Sequence, residues 1–123
     1  MTRQIIAVDN HRLGDAELAE LRASLQEHRE FRHQQLRAIA RGSTEVDDQT
    51  RSRQTAAHLE VRRKLVLAAR MALEEIEAAL ARMDTGRYGR CSRCGRGISR
   101  QRLRAHPQAS YCTSCHQAVE TAQ

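Results

Sequence analysis

From Leu18 onward, apolar residues recur at three- to four-residue steps with occasional skips, through Leu21, Leu25, Phe31, Leu36 and Ile39. That spacing lays an apolar stripe along one face of an α-helix. Asp15 is placed to cap its start, and Glu17 in the first turn suits the positive end of the helix dipole. The pattern carries this helix to about Arg41, where Gly42-Ser43 predicts a stop. Residues 42 to 55 are almost entirely polar and read as a loop, with helix resuming somewhere after Asp48. A cleaner repeat follows. Leu59, Val66, Leu73 and Leu80 stand seven apart, and Ala69, Ile76 and Met83 fill the position three residues on, as in a coiled-coil heptad. Arg62 interrupts the second series near the loop, so the apolar seam is expected to weaken toward the turn. Two helices of about 27 residues joined by a polar loop predict an antiparallel hairpin with arms about 40 Å long.

At Asp84-Thr85-Gly86 the pattern breaks, and the chemistry of the chain begins. All four cysteines fall into two C-x2-C pairs, Cys91 with Cys94 and Cys112 with Cys115, separated by seventeen residues. This is the spacing of a four-thiolate zinc site, and four sulfurs around a tetrahedral ion leave no position for water or substrate. The expected Zn²⁺ is therefore structural. Gly95 permits the positive φ that turns backbone amides toward the sulfurs. Ile98, Leu103 and Tyr111 are available to pack beneath the ion, Pro107 turns the chain back, and Cys112 to about Ala122 predicts a short terminal helix. Disulfides are disfavoured because residues 1–9 lack the apolar core of a secretory signal. A thioredoxin-like pair would need a βαβ pattern, and the C-x-x-C-H match at Cys112–His116 stands without an export signal and beside a second, zinc-spaced pair.

The expected architecture is all-α: a lead-in over 1–14, a long coiled-coil hairpin over 15–83 with a tip loop at about 42–55, and a C-terminal C4 zinc-finger module over 84–123. Composition agrees. Three aromatics and one proline in 123 residues point to long helices with a thin core, held by helix pairing and metal. No run approaches the length of a membrane span, so a soluble cytoplasmic protein, acting as a monomer, is expected.

Charge changes the picture. The net +6 is concentrated between Gly86 and His116, where Arg87, Arg90, Arg93, Arg96, Arg100, Arg102 and Arg104 stand with no acid among them. Such a cluster suits an anionic partner. It equally suits a solubilising surface that offsets the two negative charges of a zinc tetrathiolate. A DNA-binding zinc protein would use it, yet the stretch lacks base-stacking aromatics and a basic recognition helix. An adaptor whose coiled coil joins another helix, or a copy of itself, is a further reading. An enzyme is not expected, because no histidine, serine or free cysteine stands in a recognisable catalytic arrangement, and His11, His28, His33 and His58 read as solvated helix residues.

Gly86-Arg87-Tyr88-Gly89-Arg90-Cys91, with Cys94-Gly95, Ile98, Arg102-Leu103, Ala105, Pro107, Ala109 and Cys112-x-x-Cys115, strongly resembles the zinc-finger region of the DksA/TraR family. The close resemblance covers about residues 84 to 118, and the preceding hairpin agrees in length and order. It implies a protein that binds bacterial RNA polymerase by inserting the hairpin into the secondary channel, with tip acids acting near the catalytic Mg²⁺ and no sequence-specific DNA contact. Asp47 and Asp48, with Glu45, are the tip candidates. The family's tip usually carries two aspartates three residues apart with an alanine two further on. An ungapped count from Cys91 places Asp48 on the first, but Arg51 and Arg53 on the others. Either the register shifts so that Glu45, Asp47 and Asp48 form the acidic cluster, or the output is changed. Some family members co-bind the alarmone ppGpp, which needs converging basic groups. Here the zinc-proximal half of the second helix offers Glu74, Glu75 and Glu77, so the reading leans away from it.

Overall fold

A computed structural model describes residues 13–45 and 56–122. Four helices make up the architecture among them: α1 (Asp15–Glu45), α2 (Ala56–Asp84), α3 (Arg100–Ala105) and α4 (Thr113–Ala122). The first two, 31 and 29 residues long, pack antiparallel. At ~1.5 Å per residue each spans roughly 45 Å. The last two belong to a small module that closes over the base of the hairpin.

Burial follows the seam of the heptads, but only over its lower half. Leu25 packs with Ile76 and Ala79, flanked by Leu80, Met83 and Tyr88. Ala69 and Leu73 continue the buried strip of α2. Toward the turn it opens, and Leu59 of the first heptad is 48% exposed. Arg62 stands where the apolar series breaks, and its guanidinium crosses to donate to the Ile39 carbonyl of α1. A polar strut thus replaces packing in the outer half.

The helix ends differ from expectation in instructive ways. Gly14, not Asp15, receives the first helical hydrogen bond, from the Leu18 amide at 2.9 Å. Glu17 reaches back to the Gly14 amide at 3.2 Å, one half of a capping box. α1 also runs through Gly42 to Glu45 instead of stopping at Arg41, so the expected tip loop of 42–55 loses its first four residues to the helix. A glycine inside a helix costs about 1 kcal/mol but does not forbid it. Phe31 is 60% exposed and lies off the seam, because the six-residue step from Leu25 falls one residue short of the strip that the half-buried Arg32 and Gln35 occupy.

At its other end α2 closes in a Schellman turn. The Arg87 amide donates to the Arg82 carbonyl at 2.8 Å and the Gly86 amide to Met83 at 3.3 Å. Gly86 has φ 74° there, which aims the chain into the module.

Replacing Leu25, fully buried, by Ala should lower unfolding stability by roughly 2–5 kcal/mol. The same change at Leu59 should cost under about 1 kcal/mol. Urea unfolding of the zinc-loaded protein measures both, and equal losses would contradict the one-ended core.

Candidate functional site

The zinc module is built from three short segments. In the first, the Cys91 amide donates to the Arg96 carbonyl at 2.7 Å and the Gly95 amide to Cys91 at 2.9 Å. Residues Arg90 and Gly97 pair across an isolated antiparallel bridge. Gly95 has φ 80°, the left-handed conformation expected of it. The second segment is α3, which the sequence reading missed. Ser99 caps it, its hydroxyl accepting from the Arg102 amide at 3.2 Å. Its signal was local: a serine before six helix-tolerant residues, with Pro107 beyond. Six residues are too few to show a period. The third segment is α4, as expected, with Cys112 just before it and Cys115 in its first turn.

These segments bring the four sulfurs within 4.8 Å of one another, with Cys94 and Cys112 at 3.9 Å. A tetrahedral ion with Zn–S bonds of ~2.3 Å requires sulfurs roughly 3.8 Å apart. The donor set and its spacing fit structural Zn²⁺, held by Cys91, Cys94, Cys112 and Cys115. Burial would push the Cys91 thiol up, but hydrogen bonds from the backbone at Cys94, Cys112 and Arg93 bring it down to about 6. Burial, together with the neighbouring thiols, pushes Cys115 up to about 11.

Beneath the sulfurs lies a core shared with the hairpin. Leu21 of α1 packs with Cys91, Ile98, Leu103 and Cys115, and Leu13, Met83, Tyr88 and Tyr111 border the cluster. Tyr88 lines both this cluster and the seam of the hairpin, and its hydroxyl donates to the Pro107 carbonyl at 2.8 Å. Burial pushes its phenol up to about 12, only partly countered by Arg82.

The seven arginines divide. Arg100 and Arg104 each lie 3.5 Å from Oε2 of Glu17, and Arg102 Nε donates to the Tyr111 carbonyl at 2.9 Å. Those three bind the module to itself and to α1. Arg87, Arg90, Arg93 and Arg96 are exposed. Sequence reasoning overlooked further ties between base and finger. Arg82 donates to the carbonyls of Gln108 and Ala109 at 3.4 and 3.3 Å, and Arg22 pairs with Asp84 at 3.2 Å. No local pattern announces contacts between distant segments. Of the tip candidates, Glu45 is the last residue of α1, while Asp47 and Asp48, like Arg51 and Arg53, lie outside the described residues.

Residues 86–120 match the family described as the prokaryotic dksA/traR C4-type zinc finger. The module is a DksA/TraR finger. An uncharacterised protein of Aquifex aeolicus is 46% identical over 48 residues, and the RNA polymerase-binding transcription factor DksA of Haemophilus influenzae is 39% identical over 51. These alignments cover 39% and 42% of the chain and 33% and 35% of the relatives, so they span only about a third of the proteins matched. The structure of transcription factor DksA2 from Pseudomonas aeruginosa superimposes with a TM-score of 0.70 over 88% of this chain and 86% of that one, at 22% identity. The DksA/TraR finger thus sits on a DksA-like fold.

Cys91→Ser should lower the zinc content below one ion per chain and strip hydrogen-exchange protection from Ile98 and Leu103. Full zinc content with intact protection would refute the site. Because Tyr88 holds its proton more tightly when folded (about 12 against 10), its stabilising contribution is complete below pH 10 and fades as pH rises toward 12. Ultraviolet titration of tyrosinate should show a late step that Tyr88→Phe abolishes.

Proposed function

We propose that this chain is a non-enzymatic transcription regulator of the cytoplasm that binds bacterial RNA polymerase. The hairpin enters the secondary channel, and acids at its tip act near the catalytic Mg²⁺. The observation that carries this reading is the joint match: a DksA/TraR finger at residues 86–120 on a fold that superimposes on DksA2, with a polymerase-binding transcription factor among its relatives. No described helix is long and apolar enough to cross a membrane.

The physical roles divide along the rod. The zinc module fixes the base, the seam of Leu25, Leu73, Ile76 and Ala79 keeps the lower half stiff, and the turn delivers charge. Glu45, Asp47 and Asp48 are the effector residues. Carboxylates suit that position because they engage Mg²⁺ and its waters directly. The protein acts as a monomer.

Alarmone assistance by ppGpp is not part of this reading. A cleft of about 380 Å³ between α2 and the module carries Arg102, His106 and His116, but also Glu75 and Glu120. Arg102 is engaged with the Tyr111 carbonyl, and His116 faces Glu120 at 3.2 Å. A polyphosphate there would meet two carboxylates before it met an uncommitted guanidinium.

Pull-down with core polymerase tests the partner: the intact chain should be retained, and removal of residues 43–54 should reduce retention. In transcription reactions with purified polymerase, Asp47→Ala with Asp48→Ala should abolish most of the regulatory effect while leaving binding largely intact. A double variant that regulates like the parent would remove the tip acids from the mechanism.

A further inference from the structure

The first zinc knuckle runs from Arg90 to Gly97 and carries Arg90, Arg93 and Arg96. The bridge between Arg90 and Gly97 and the Cys91–Arg96 hydrogen bond bring the two ends of this short loop together, with Arg93 at its bend. All three arginines are exposed. Arg90 donates to the Gly95 carbonyl at 3.2 Å. A guanidinium has five N–H donors, so the Arg90 side chain is steadied while most of its donors are left over. The ends of the loop are tied by backbone hydrogen bonds, and a zinc ion held by Cys91 and Cys94 would fix it further. A charged surface so fixed loses little entropy when it binds.

The metal does not consume this charge. From 86 to 120 the chain has seven arginines and a single acid, Glu120. Four thiolates on a dication leave a net −2, so the module retains a net +4. Glu17, the nearby acid of α1, is already held by Arg100 and Arg104.

We propose that this knuckle grips the phosphate backbone of duplex DNA without reading sequence. Arginine forks match phosphate oxygens in pairs, and backbone contact needs charge and donors alone. An acidic protein surface fits less well. Protein interfaces concentrate their energy on buried aromatic or apolar anchors, whereas the residues between these arginines are Ser92, Gly95 and two metal-ligating cysteines. Single strands fit less well too, since stacking needs exposed rings. Tyr88 is tied to Pro107, and Tyr111 packs against the core. The contact does not depend on polymerase, so it stands or falls separately from the proposed function.

Fluorescence anisotropy with a labelled duplex of arbitrary sequence and the full zinc-loaded chain is the test. Binding should be measurable at ~50 mM salt and fall linearly in log–log form as salt rises. Changing Arg90, Arg93 and Arg96 together to Gln should weaken it roughly tenfold or more and reduce the salt slope by about 2 to 3. The same three positions changed to Lys should keep most of the affinity, and both variants should retain one zinc per chain. Absence of binding at low salt, a Gln variant with an unchanged slope, or equal affinity for polyglutamate or single strands would each overturn the proposal.

Discussion

Everything in this molecule rests on the convergence of four sulfurs and the apolar layer directly beneath them. Leu21 contributes to that layer from the hairpin, and Cys91, Ile98, Leu103 and Cys115 contribute from the finger. The metal site therefore does more than close a loop. Holding the sulfurs together orders Ile98 and Leu103, which in turn give Leu21 something to bury against. Three aromatics in the whole chain leave a thin core, and among the described residues the other cluster, Leu25 with Ile76 and Ala79, is smaller.

Around that layer, polar ties set the angle between finger and rod. Glu17 collects the Gly14 amide and two arginines from α3, Arg82 reaches the loop after Pro107, and Arg22 meets Asp84. Each exposed ion pair of this kind contributes at most about 1 kcal/mol. Their value lies in direction. A hydrophobic contact tolerates rotation, while a set of carbonyl and carboxylate acceptors on three segments does not.

What the sequence disclosed follows from how far each signal reaches. The cysteine ligands were legible because coordination chemistry imposes its spacing on the chain, and the coiled-coil arms because a heptad repeats often enough to be seen. The one-ended seam was legible through a single residue, Arg62. The six-residue α3 was not, since one turn and a half carries no period. Nor was the use of Arg100, Arg102 and Arg104 as internal fasteners. In one dimension they look like Arg87, Arg90, Arg93 and Arg96, and only the approach of Glu17 and Tyr111 separates them, although Arg104 is itself exposed. Phe31 was misjudged because hydrophobicity was credited where helical phase denied it, and the end of α1 because a glycine was given more stopping power than it has.

The Arg62 strut has a consequence for reach. Near the base, interlocking side chains hold the two strands in axial alignment, but the outer seam is thinly packed and by itself would permit a slip. A slip of one heptad would displace one strand by about 10 Å along the other and leave this guanidinium facing a different carbonyl. The crossing to Ile39 therefore works as a detent. It fixes how far the far end projects from the zinc-bound foot, a length that any partner with a recessed target must find constant.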